Sequence, residues 1–118
     1  MSIKQFIRGI GAVLMLCCVS LTGGVASADV IAEGKKVAFD RKKGNCLSCH
    51  MIADGALPGN IGPPLIAMKA RFPNKGDLRA QIWDATVKNP NTIMPPFGKH
   101  RILSEKEVDL ITEFIYSL

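Results

Sequence analysis

The stretch "GNCLSCHMIADGALPGNIGPPL", residues 44–65, places two cysteines three positions apart, with a histidine directly after the second. From Ala53 to Pro64 the same stretch carries three glycines and three prolines, a composition typical of an irregular loop. Cysteine pairs at this spacing serve several kinds of chemistry, so the rest of the chain has to distinguish them.

The sequence on both sides of this stretch predicts helices and no strand. Asp29 is a good N-cap, and a first helix is predicted from there through Asp40. Ser104 and Glu107 form a capping-box pattern before the last helix, which is the clearest signal in the chain. The chain is therefore predicted to be all-α. The remaining expected features are a short helix in 65–72, a longer helix in 76–89, an irregular Pro-rich segment in 90–103, inward positions Ile31, Val37, Ala38 and Phe39, and an apolar face of Val108, Ile111, Ile115 and Leu118.

The N-terminal residues have the layout of a secretory signal peptide. Lys4 and Arg8 precede an apolar run of thirteen residues, 9–21, and Ala26-Ser27-Ala28 is a small-x-small cleavage site. An uncleaved anchor is the competing interpretation, but crossing a bilayer takes about 20 apolar residues. We therefore expect residues 1–28 to be removed and residues 29–118 to form one exported, periplasmic domain.

The charge and composition of the chain give no sign of a nucleic-acid-binding surface, although they exclude few other functions. The predicted mature chain has thirteen basic and ten acidic residues, a mild excess, and it has no basic tract interleaved with aromatic residues. Arg41, Lys42 and Lys43 precede the first cysteine, where they are either a solvated loop or a surface that steers an acidic partner. Nucleic-acid binding is not predicted.

Three chemistries compete for Cys46, Cys49 and His50. A redox dithiol is expected where a strand meets a helix, and the sequence predicts no strand. A structural zinc site needs four ligands, and adjacent Cys49 and His50 would both have to turn toward one metal. Covalent haem attachment uses all three residues, because C-x-x-C-H lets two thiols bond one porphyrin while the histidine ligates the iron. The sequence thus predicts one covalently attached haem c.

Ligation by His50 raises the question of the second axial ligand of the iron. Met94 lies in a Pro-rich loop before the last helix and is the predicted ligand. Three other side chains are less suitable as the second ligand. Met51 adjoins His50 and is confined to the same face of the iron. Met68 is better explained as a core residue, and His100 is better explained as a solvated loop residue.

A ligated histidine usually donates its other ring N–H to a nearby acceptor. The rigid segment Gly62-Pro63-Pro64 predicts that the carbonyl of Pro63 is this acceptor for His50; the alternative is that the prolines only stiffen the loop.

On these residues the chain resembles the class I c-type cytochromes. That resemblance implies crossing N- and C-terminal helices around the haem, with Cys46, Cys49, His50, the segment 62–65 and Met94 in the family's positions. Residues 44–65 and 83–118 are more narrowly similar to SoxX, the mono-haem subunit of the SoxAX cytochromes of thiosulfate oxidation.

The narrower resemblance implies a set of partners. These are a SoxA-like haem subunit that carries the catalytic site and forms a heterodimer with this chain, the carrier SoxYZ, and a small cytochrome c as electron acceptor. This chain would relay electrons and carry no catalytic residue. The alternatives are a free-standing periplasmic electron carrier and, more weakly supported, a haem-based gas-binding protein in which Met94 is displaced.

Overall fold

The structure is a computed structural model that describes residues 23–118, with side chains from Ala28 onward. Most of the predicted signal peptide, including its basic start and apolar run, lies outside the described residues. Within residues 23–118 all regular structure is helical, which confirms the predicted fold class. The helices are α1 (Gly23–Phe39), α2 (Met68–Arg71), α3 (Lys75–Trp83) and α4 (Glu105–Tyr116), and the 3-10 turns are Cys46–Ser48 and Ala85–Val87.

The first and last helices pack directly against each other. Gly34 of α1 is buried, and a side chain there would overlap the backbone carbonyl of Leu110 in α4. One turn further on, the rings of Phe39 and Phe114 meet edge to face with centroids 5.8 Å apart. The contact between α1 and α4 implied by the resemblance to class I cytochromes is therefore present.

Local sequence explains where α4 begins and which of its faces is buried. The Ser104 hydroxyl accepts from the N–H of Glu107, while the Glu107 carboxylate accepts from the N–H of Ser104, completing the predicted capping box. Val108, Ile111 and Ile115 are at most 3 % exposed, as their shared face predicts.

Helix α3 lies against α4 through both apolar and charged contacts. Asn74 caps its start by accepting from the N–H of Gly76 at 2.9 Å. Leu78 and Ile82 face the core, and an ion pair joins Arg79 to Asp109 at 2.6 Å on the outer side. α3 is thereby fixed relative to α4, which matters for the loop that follows it.

Three predicted helices have different bounds in the structure. α1 begins at Gly23, six residues ahead of the predicted N-cap Asp29, and ends at Phe39, one residue before the predicted end. The helix predicted over 65–72 covers only Met68–Arg71, because Ala67 adopts a left-handed conformation with φ of 50°. The helix predicted over 76–89 ends at Trp83, where the Asp84 side chain accepts from the N–H of Thr86 and starts a 3-10 turn. Within the described residues, no helix is both long and apolar enough to cross a membrane.

Candidate functional site

The core of the domain surrounds a cavity of about 580 Å³. That volume lies within the range of roughly 300–1,000 Å³ typical of cofactor and ligand sites. The cavity is lined by core side chains of α3, α4 and the Pro-rich loop, among them Leu78, Ile82, Phe97, Ile111 and Ile115. Cys46, Cys49, His50 and Met94, the four residues predicted to bind haem or its iron, line the same cavity.

A tight turn brings the two cysteines to the cavity wall. Asn45 adopts a left-handed conformation with φ of 47° and introduces the 3-10 turn Cys46–Ser48. The N–H groups of Cys49 and His50 both donate to the carbonyl of Cys46, at 3.2 and 2.9 Å. Gly44 fastens this turn to α1 by donating to the carbonyl of Val37 at 3.2 Å.

The environment of the thiols disfavours the two competing chemistries. Burial raises the pKa of the Cys46 thiol to about 11, whereas the nucleophilic thiol of a redox dithiol needs a lowered pKa. Among the residues that the structure describes, no group of three or more His, Cys, Asp or Glu side chains could hold a metal ion. Cys46 and Cys49 are free thiols and are not joined as a disulfide.

The protonation of His50 follows from its hydrogen bond. Its Nδ1 lies 2.7 Å from the carbonyl oxygen of Pro63, the acceptor that the sequence singles out. A carbonyl oxygen can only accept, so Nδ1 carries the hydrogen, and in the neutral imidazole the lone pair is then on Nε2. A neutral imidazole with a free Nε2 is the form that ligates a metal.

Gly62 permits the close approach of its backbone to the His50 ring. A Cβ at this position would lie 2.5–3.0 Å from three atoms of the imidazole. The loop can therefore pass flat against the ring only because residue 62 has no side chain.

The glycine- and proline-rich loop is a clasp over the cysteine turn. Gly59, Gly62 and Leu65 donate their N–H groups to carbonyls of alternate residues in the segment 47–51, at 2.7, 2.7 and 2.9 Å. Added to the bond between His50 and Pro63, these contacts fix the orientation of the histidine from the backbone alone.

Met94 is partly buried and lines the cavity, and its N–H donates to the Thr92 hydroxyl at 3.2 Å. Of the other candidates, His100 is exposed and does not line the cavity, and Met51 is 52 % exposed and does not line it either. Met68 is 1 % exposed and belongs to the apolar core, although it also contacts the cavity. The arrangement favours Met94 among these side chains, and its role as a ligand stays a prediction.

Basic side chains lie at two places in the cavity wall. Arg71, which no sequence pattern indicates, lines the cavity and donates from Nη1 to the carbonyl of Pro64 at 2.7 Å, which holds the loop behind His50. Of the basic run, Arg41 and Lys42 are exposed at the cavity wall, whereas Lys43 forms an ion pair with Glu107. The part played by Arg71 is visible only in this contact with Pro64, because its sequence context is an ordinary short helix.

Taken together, these residues fit a covalently bound porphyrin. The cavity offers two thiols on one turn, an imidazole with a free Nε2, a thioether and apolar walls. A family model described as cytochrome c oxidase, cbb3-type, subunit III matches residues 30–115, which is most of the chain. No curated protein matches the chain.

Proposed function

Because this chain belongs to the cytochrome c family described as cytochrome c oxidase, cbb3-type, subunit III, we propose that it is a mono-haem electron-transfer subunit. Membership of this family implies haem c. The observation that carries the proposal is the single cavity that collects Cys46, Cys49, His50 and Met94. When bound, haem c supplies a one-electron iron couple.

The proposed roles of the side chains follow from their chemistry. Cys46 and Cys49 form thioethers to the porphyrin, His50 ligates through Nε2 and Met94 ligates through its sulfur. Pro63 holds the His50 ring by accepting from Nδ1. A methionine–histidine pair gives a higher reduction potential than two histidines, which suits transfer of electrons onward to another cytochrome.

The finer proposal is that the chain is the SoxX-like subunit of a SoxAX-type cytochrome. Its support is the similarity of residues 44–65 and 83–118 to SoxX, together with the loop 53–65, which the structure shows to be a hydrogen-bonded clasp. Cys46 and Cys49 are the only cysteines after residue 28, and both are assigned to haem attachment. The sulfur chemistry, which couples thiosulfate to a cysteine of SoxYZ, would then belong to a SoxA-like partner.

The proposed location is the periplasm, after cleavage behind Ala28. A cleaved chain would retain residues 29–39 of α1, including Gly34 and Phe39, which make the contacts with α4. Cleavage is therefore compatible with the packing of the domain.

A pull-down of the tagged chain from the periplasm of bacteria grown on thiosulfate tests this proposal. The expected result is a haem-bearing partner in a one-to-one ratio with a chain that begins at Asp29 and carries one haem by intact mass. Recovery of the same chain alone would replace the SoxAX assignment with a free-standing electron carrier. A mature chain without covalently bound haem would overturn the electron-transfer function itself.

A further inference from the structure

Within the described residues, the backbone of the loop that carries Met94 is hydrogen-bonded to another element at one place, the end of α3. Within residues 23–118, the backbone hydrogen bonds that leave segment 93–102 for another element are those from Gly98 and Lys99, at 3.1 and 3.2 Å. Both donate to the same acceptor, the carbonyl of Trp83 at the end of α3. The other backbone hydrogen bonds of the segment stay within the loop or reach Leu103 directly after it.

Side chains reinforce this attachment from both sides. Gly98 is buried, and a Cβ there would overlap the indole ring of Trp83, so the loop backbone lies directly on that ring. The Lys99 ammonium pairs with the Asp84 carboxylate at 2.8 Å. Asp84 is 7 % exposed and also accepts from the N–H and the hydroxyl of Thr86, which holds its carboxylate in place for Lys99.

These contacts lie close to Met94 along the chain. Met94 and Phe97 both line the cavity, and the attachment begins at the residue after Phe97. The loop thus has no backbone hydrogen bond from Met94 to another element, and its fixed segment lies at Gly98 and Lys99. The end of α3, itself tied to α4 through Arg79 and Asp109, sets where the fixed segment lies.

We propose that Trp83 and Asp84 are positioning residues for Met94, acting through Gly98 and Lys99; this inference rests on the function proposed above. The attachment keeps the Met94 loop closed on the cavity and so sets how readily the methionine leaves the iron. A competing ligand binds only when the loop opens, so its apparent affinity rises in proportion to the open fraction. Weakening the attachment should therefore strengthen binding of a small external ligand.

The affinity of imidazole for the ferric holoprotein measures how readily the Met94 loop opens. Lys99→Gln removes the cation at a largely exposed position, so folding should be preserved. We expect imidazole to bind up to about fivefold more tightly to this variant, the ratio set by an ion pair with one exposed partner. The long-wavelength methionine-to-iron band should weaken, and the covalent haem should be unchanged. Asp84→Asn, which keeps an oxygen to accept from Thr86, should act in the same direction.

Two matched variants serve as controls. Lys99→Arg keeps a cation that can reach Asp84, and Lys35→Gln breaks an exposed ion pair between α1 and Asp54, away from α3 and the Met94 loop. Both should bind imidazole within about twofold of the wild type. An unchanged affinity in Lys99→Gln, or an equal gain in Lys35→Gln, would overturn the inference.

Met94→Ala separates this inference from the proposed ligand. Loss of the methionine band in Met94→Ala with no effect in Lys99→Gln would refute only the positioning role. Retention of the band in Met94→Ala would refute the assignment of Met94 as ligand, and the positioning role with it.

Discussion

At the scale of single residues, the site depends on positions where a side chain is missing as much as on those where one is present. Gly62 allows the backbone to lie on the His50 ring, and the next residue then places its carbonyl 2.7 Å from Nδ1. A carbonyl can only accept a hydrogen bond, so the neutral imidazole is held in the tautomer with its hydrogen on Nδ1.

Gly62→Ala should therefore disturb His50. The added methyl group would lie 2.5 Å from the imidazole Cε1, and overpacking of this kind costs about 1–3 kcal/mol. We expect a lower free energy of unfolding and a changed reduction potential of the holoprotein, measured by denaturant titration and by redox titration. Gly76→Ala is the control, since its Cβ would meet only the exposed Asn74 side chain. Equal changes in the free energy of unfolding and in the reduction potential of the two variants would show that the His50 ring can move away from the added methyl group.

At the scale of secondary-structure elements, the contact between α1 and α4 holds the two ends of the domain together. The helices approach so closely at Gly34 that the Leu110 carbonyl occupies the space of a side chain. A Cβ would also lie 2.9 Å from the Cβ of Phe114, so neither helix can yield without moving the other.

Gly34→Ala is expected to separate the two helices. The gain in helix propensity, about 1 kcal/mol, is smaller than the overpacking cost of about 1–3 kcal/mol that the rigid backbone imposes. We predict a net loss of thermal stability, measured by circular dichroism. Glu33→Ala, on the exposed side of α1, should stay within about 0.5 kcal/mol of the wild type. A stabilised Gly34→Ala variant would mean that the helices pack differently in solution.

The start of α4 is also tied to the segment that precedes the cysteines. Glu107 completes the capping box and pairs with Lys43, and the hydrogen bond from Lys43, followed by that from the Ser104 N–H, lowers the pKa of Glu107. The same pair raises the pKa of Lys43. A lowered carboxyl pKa contributes stability above the unfolded value, and that stability is lost as the pH falls through the folded value.

Glu107→Gln should reveal this contribution, because glutamine can keep the capping box but cannot form the ion pair. The wild type should be more stable than the variant at pH 7. The difference should shrink as the pH falls below the ordinary glutamate pKa of 4.5. Denaturant titrations at pH 7 and pH 3 measure it, with Glu105→Gln in the same first turn as the control. A difference that is the same at both pH values would exclude the ion pair as its source.

At the scale of the whole molecule, the core and the cofactor cavity are the same space. Leu78, Ile82, Ile111 and Ile115 belong to the apolar core and also line the cavity. This space is partly open, so without a bound group its apolar walls would be in contact with water, and a porphyrin in it would bury them.

The domain should therefore depend on its haem for folding. Cys46→Ala combined with Cys49→Ala is expected to remove haem staining on a denaturing gel and much of the far-ultraviolet helical signal. Cys17→Ala combined with Cys18→Ala, inside the predicted signal peptide, is the matched control and should retain both. Haem stain surviving in the first double variant would contradict covalent attachment through these cysteines.

The features that sequence predicted correctly depend on residues close together in the chain. The capping box of Ser104 and Glu107 lies within one helical turn, and Cys46 and Cys49 are likewise only three residues apart. The sequence also lacks period-two alternation, which argues against strands before the fold is known. Even the bond between His50 and Pro63 spans only thirteen residues, and the rigidity of the Pro-rich segment made its acceptor predictable.

Tertiary structure alone decided the contacts between distant segments. The closeness of Gly34 to Leu110, the pairing of Lys43 with Glu107 and the attachment of Gly98 to Trp83 each join elements whose relative position no local pattern encodes. Sequence by itself determined an all-α domain with the spacing for haem attachment, because hydrogen bonding and side-chain periodicity act within a few residues. The placement of Met94, of the Trp83 and Asp84 attachment and of the cavity walls arose only when apolar burial brought α1, α3 and α4 together.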